Sequence, residues 1–167
     1  MTVWKLNGNF NSDSHKMKKF TALCIAFLSA FTGFSQVHNP VTWQAHYKPV
    51  AADEGEIVIT ARIEKGWHTY SQRPTTDGPI PTTFTFVPSD KYTLSGKTEE
   101  SDAHEEFVKA FEAKIFVFTD KAEFRQKIKL KDKAGFSVPL KLEFMSCNDL
   151  MCLPPKTIDL SVKVTAE

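Results

Sequence analysis

Cys147 and Cys152 are the residues whose type and spacing speak most directly of chemistry. They sit in the run Phe144-Met145-Ser146-Cys147-Asn148-Asp149-Leu150-Met151-Cys152-Leu153-Pro154-Pro155-Lys156. Two thiols this close can alternate between dithiol and disulfide, and can exchange with other disulfides through thiolate attack and a mixed disulfide. Asn148-Asp149 supply turn chemistry between them. Pro154-Pro155 remove two backbone donors and stiffen the chain directly after Cys152. A plainer use of the same pair is a permanent staple. Closing so short a loop gives only about 2 kcal/mol in the chain-entropy model, less than a bridge between distant strands. Spacing alone does not choose between the redox pair and the staple. A third use is metal: Met145, Cys147, Met151 and Cys152 are a soft-ligand set that suits Cu(I), although no His lies in the segment. A second ligand pair at zinc spacing is not found.

The elements that must position these sulfurs are strands. Glu56–Ile63 alternates, with Ile57, Ile59, Ala61 and Ile63 on one face. Thr42–Tyr47, Trp67–Ser71, Thr82–Val87, Lys114–Thr119, Glu123–Leu130, Ser137–Phe144 and Thr157–Val164 have strand composition, and Tyr92–Lys97 has it more weakly. Eight or nine short strands with turn residues between them, and no strong amphipathic helix, predict an antiparallel sandwich. Cys147 then leaves one strand and Cys152 enters the next. The ends of such a hairpin meet the roughly 5.5 Å Cα separation of a disulfide. Two stretches stay irregular: Gln72–Pro81, and Glu99–Glu112 with room for a turn of helix around Glu105–Ala110. Loops of that length in a small domain are frequently functional.

Charge and cysteine count place the domain in a compartment. The chain has 167 residues, three cysteines and a formal charge of +1. Lys5, Lys16, Lys18 and Lys19 against Asp13 put the basic excess in residues 1–35, leaving about −2 for the rest. Nothing in that balance points to nucleic acid or to a membrane surface. From Met17 the chain has a short basic stretch, an uncharged apolar run Phe20–Phe34 and small residues at Gly33 and Ser35. That is the pattern of a signal peptide, with a start at Met17 and cleavage after Ser35. The run is short for a membrane span, so no membrane insertion is expected after cleavage. Cys24 leaves with the signal, and residues 36–167 keep two cysteines where disulfides form. His38, His46, His68 and His104 are scattered and are taken as surface or satisfied core; Trp43 and Trp67 are taken as core. No Ser/His/Asp arrangement or Gly-rich phosphate loop is present in the sequence.

Cys147-Asn148-Asp149-Leu150-Met151-Cys152-Leu153-Pro154-Pro155 resembles the active-site segment of the N-terminal periplasmic domain of the thiol:disulfide interchange protein DsbD. Gly66-Trp67-His68-Thr69-Tyr70 resembles that family's early aromatic strand, and His104-Glu105-Glu106-Phe107 its acidic, Phe-tipped cap loop. The resemblance covers most of Val41–Val164. It implies an immunoglobulin-like β-sandwich with a cap loop over the Cys pair. It also implies a protein-disulfide reductase that takes electrons from a membrane or thioredoxin-like donor and passes them to client disulfide proteins, without a cofactor. By position, Cys152 would form the mixed disulfide and Cys147 would resolve it. Phe107 would lie over the sulfurs and move aside on docking, with Tyr70 and Glu105 or Glu106 lining the site beside Pro154 and Pro155. Neighbouring carboxylates would keep a thiol protonated until a partner docks. Two features depart from the family: four residues separate the cysteines where the best-known members have five, and the membrane and thioredoxin-like domains that normally follow are not in this sequence. Either separate proteins supply the electrons or the domain has been put to another use, and a monomer that docks transiently is expected for a relay.

Overall fold

The computed structural model describes residues 38–76 and 78–165. The expected leader, signal peptide, cleavage point and Cys24 lie outside the described residues. The strands are β1 Val41–Ala51, β2 Glu54–Ile63, β3 His68–Tyr70, β4 Thr83–Phe86, β5 Tyr92–Glu100 and β6 His104–Val108. After a 3-10 turn at Lys109–Phe111 come β7 Ala113–Phe118, β8 Lys121–Leu130, β9 Phe136–Phe144, β10 Ser146–Cys147 and β11 Lys156–Val164. The described residues contain no α-helix.

All the strand pairs are antiparallel and form three sheets, in the orders β1-β2-β8-β5, β11-β9-β4 and β10-β3-β7-β6. The first two face each other across one core, as the alternation of β2, β8 and β9 requires: one side chain in two is apolar and turns inward. Ile57 and Ile59 from β2, Phe124 and Ile128 from β8, and Leu140 and Leu142 from β9 all meet there. Phe124 sits at the centre, its ring within 6 Å of the rings of Trp43, Phe84 and Phe118. This is the expected all-β sandwich.

The third sheet carries a second, smaller cluster of Tyr70, Val108, Ile115, Val117 and Cys147. Phe118, at the end of β7, belongs to the main core and ties the two together. Here the structure departs from the sequence reading. Glu99–Glu112 is not an irregular stretch: β5 runs on to Glu100, and His104–Val108 is an edge strand bonded along its length to β7. The helical turn starts only at Lys109, beyond that strand. The backbone groups of β7 need a partner on their second edge, and this requirement outweighs the poor strand composition of His-Glu-Glu-Phe-Val. Glu112 closes the turn in the left-handed region, φ 50°, with its N–H donating to the Lys109 carbonyl.

Candidate active site around Cys147 and Cys152

The cysteines lie in the connection between β9 and β11, which form one long hairpin with Phe144 opposite Lys156. Cys147 does not leave β9 directly. It occupies β10, which crosses to the third sheet and pairs with β3, Cys147 opposite His68 and Ser146 opposite Thr69. The Thr69 hydroxyl fixes the crossing by donating to the Met145 carbonyl at 2.9 Å. Cys152 stands ahead of β11 and bridges back to Cys147. The sulfurs are bonded at 2.06 Å with Cα atoms 4.1 Å apart. Between them Asn148 organises the turn: its Oδ1 accepts the N–H groups of Leu150 (2.9 Å) and Met151 (2.8 Å). The Asn148 N–H donates to the Met151 carbonyl, and the Leu153 N–H donates to the Ser146 carbonyl.

The two sulfurs have unequal surroundings. Cys147 is fully buried, at 0% exposure, in the cluster with Tyr70, Val108, Ile115 and Val117. Cys152 is only partly buried and packs against the edge of that cluster. Leu150 and Met151 project from the loop beside it, at 93% and 56% exposure.

Register and pleat decide which side chains share a face with Cys147. Cys147 faces His68 across β10–β3; Tyr70 faces Val117 across β3–β7; His104, Glu106 and Val108 face Val117, Ile115 and Ala113 across β7–β6. These residues therefore stand on one side of the sheet. Glu105 and Phe107 alternate to the other side, where Glu105 pairs with Lys114 at 3.4 Å. Phe107 is 58% exposed. A cleft of about 260 Å³ separates β6 and the 3-10 turn from the cysteine loop, lined by Glu106, Phe107 and Lys109 on one side and by Asp149 and Met151 on the other, with His68 at its floor.

His68 is buried, at 7% exposure, and its Nε2 shares a hydrogen bond of 3.1 Å with the Tyr70 hydroxyl. Burial pushes the imidazole below its ordinary value of 6.5, against the upward pull of Glu106 and Asp149, while His104 adds to the depression. Burial, and then the Glu106 carboxylate, raise the Tyr70 phenol far above its ordinary 10. The hydroxyl therefore keeps its proton throughout the neutral range. Among the described residues, no group of three or more His, Cys, Asp or Glu is placed to hold a metal ion.

The family model of the thiol:disulfide interchange protein DsbD, N-terminal domain, matches residues 38–163. The chain belongs to this family. A search of curated proteins finds no match. Among solved structures, the reduced DsbD N-terminal domain of Neisseria meningitidis superposes with a TM-score of 0.53 at 19% identity, over 80% of this chain and 95% of that one. The N-terminal periplasmic domain of ScsB from Proteus mirabilis superposes with a TM-score of 0.56 at 13% identity, over 78% of this chain and 48% of that one. The fold is the immunoglobulin-like β-sandwich of the DsbD N-terminal domains, and thiol–disulfide exchange is the chemistry of the family.

Of the residues that the DsbD-like motif singled out, the structure brings Cys147, Cys152, Tyr70 and Glu106 to one face of one sheet or to the cleft above it. Phe107 stands at the cleft rim; Glu105 points away to Lys114. Pro154 and Pro155 are exposed on the return path to β11. Val108 and Phe111 fill the space next to Tyr70 and Cys147, and the sequence reading did not single them out. It also passed over His68. The signal available was local: His68 and Tyr70 are two apart, hence on one face if the segment is a strand. Their neighbour Cys147 is 79 positions away, and no periodicity reports that pairing.

Proposed function

We propose that this domain relays reducing equivalents outside the cytoplasm, taking them from a membrane or thioredoxin-like donor and handing them to disulfide-bonded client proteins. The unequal burial of the two sulfurs carries this reading. In the dithiol form, the Cys152 thiolate attacks a client disulfide, forming a mixed disulfide and releasing one client thiolate. The Cys147 thiolate then attacks Cys152 Sγ, closing the internal bond and releasing the second client thiolate. Two electrons pass to the client, and the domain ends oxidised. The partly exposed sulfur is the one a client can reach, and the buried one is reached only from within. Phe107, with Leu150 and Met151, forms an apolar rim that meets the partner and moves aside when it docks. Glu106 lines the cleft, Glu105 flanks it, and Pro154-Pro155 hold the return path.

Export by the Phe20–Phe34 signal with cleavage after Ser35 would deliver residues 36–167 to an oxidising compartment such as the periplasm. The domain would act there as a monomer with transient partners and no cofactor.

The equilibrium reduction potential of the Cys147–Cys152 pair in the mature protein, set against defined thiol buffers with alkylation and mass readout, is the first test. A relay predicts a value between about −180 and −270 mV, whereas a bond that stays closed well below about −300 mV is a staple and ends the redox reading. Trapping gives the direction of attack. Cys147→Ser should accumulate mixed disulfides through Cys152, and Cys152→Ser should accumulate few.

A further inference from the structure

We infer that His68 is the proton acceptor for the Cys147 thiol during the resolving step, its ring held by the hydrogen bond between its Nε2 and the Tyr70 hydroxyl. The inference deepens the exchange reading above and rests on it. The resolving nucleophile must be a thiolate, and Cys147 must therefore lose a proton. At 0% exposure it has no contact with solvent to receive one. Its cross-strand partner is His68, and side chains at directly opposed positions of an antiparallel pair stand about 5 Å apart at their Cβ atoms. The remaining members of the buried cluster are Val108, Ile115, Val117 and Tyr70, of which only Tyr70 ionises. Its phenol is held protonated far above neutrality, which excludes it as a base.

The titratable and charged groups around His68 come from every element that packs near it. They are Tyr70 on its own strand, His104 and Glu106 on β6, Lys109 on the 3-10 turn, Asp149 in the cysteine loop, and the two cysteines. Glu106 and Asp149 favour a protonated imidazole and burial opposes it, so the ring is neutral in the oxidised protein and receptive when a thiol must ionise. The Tyr70 hydroxyl suits both states. It accepts from Nε2–H in the neutral tautomer that leaves the Nδ1 lone pair to take a proton, and it accepts from the same Nε2–H in the imidazolium. The balance is simple. The Cys147 S–H proton moves to His68 Nδ1; the thiolate forms the Cys147–Cys152 bond as the bond from Cys152 to the client breaks. The departing client thiolate is protonated by His68 or by water.

Two titrations test this, neither using a client. In mature Cys152→Ala protein, the ultraviolet absorbance of the Cys147 thiolate is followed against pH, with and without His68→Gln, which keeps a partner for Tyr70 but carries no titrating proton. The substitution should raise the midpoint by about one pH unit, about tenfold fewer thiolates at neutral pH; an unmoved midpoint overturns the assignment. In case His68→Gln disturbs the fold, the His68 ring signals of the unsubstituted protein are titrated by NMR in both redox states. A step shared with Cys147 in the reduced form supports the coupling, and superimposable curves overturn it. If the client-trapping experiment fails while these couplings appear, the relay reading falls and takes the resolving step with it, leaving only the coupling of His68 to Cys147. The converse result removes only the assignment.

Discussion

Asn148 is the residue on which the cysteine loop turns. One side-chain oxygen satisfies the N–H groups of Leu150 and Met151, both in an exposed loop with no strand to bond to. Losing an acceptor that serves two donors should cost the oxidised domain about 1–2 kcal/mol in a denaturant titration. Asn148→Asp keeps the acceptor, so Asn148→Ala should be destabilised and Asn148→Asp close to the native value. Equal losses in both would say that the amide N–H groups matter instead. That Asn148-Asp149 form a turn was legible in the sequence, because this chemistry is local. The neighbourhood of the sulfurs was legible only in part. The cysteines announce themselves by spacing, whereas His68 becomes their neighbour only through the pairing of two- and three-residue strands, too short to leave a period.

The β6 strand and the 3-10 turn behave as a cover whose inner and outer sides do different work. Val108 and Phe111 face the cluster around Tyr70 and Cys147, while Phe107 stands mostly in solvent at the cleft rim. Val108→Ala should therefore lower stability by about 1–2 kcal/mol, the ordinary cost of removing two buried methyl groups. Phe107→Ala should leave stability within about 0.5 kcal/mol. It should nevertheless speed reduction of the Cys147–Cys152 bond by a small dithiol, if Phe107 gates the approach to Cys152. Matched denaturation curves and stopped-flow reduction rates would separate the two, and an unchanged rate would remove Phe107 from the gate. The same element explains where pattern reading fails. Along β2, β8 and β9 one face meets the core and the other meets water, so the strands alternate and are visible in the sequence. All three residues of β3 are buried and β6 is mostly exposed, so neither shows a period of two, and composition, loop length and the family resemblance had to stand in for it.

At the scale of the whole molecule, a few shifted groups set how stability depends on pH in the oxidised protein. His68 is depressed below 6.5 by burial, so between its folded value and 6.5 the unfolded chain binds the extra proton. Stability must therefore fall as the pH drops below 6.5, by at most about 1.4 kcal/mol per pH unit for one proton. Glu123 is depressed below 4.5, chiefly by its hydrogen bond from Arg125, and adds a second loss that begins only below 4.5. On the alkaline side Tyr70, Tyr47 and Tyr92 are all raised by burial, so the unfolded chain releases protons first and stability falls again above pH 10. The domain should thus be most stable between about pH 7 and 9, with an acid limb in two stages. Denaturation midpoints measured across pH would resolve the stages, and the variants assign them. His68→Gln should flatten the loss that begins below 6.5 and leave the one that begins below 4.5, while Glu123→Gln should do the reverse. If His68→Gln left the upper stage intact, the buried imidazole would not be its source, and the neutral resting state assigned to His68 beside the disulfide would have to be given up.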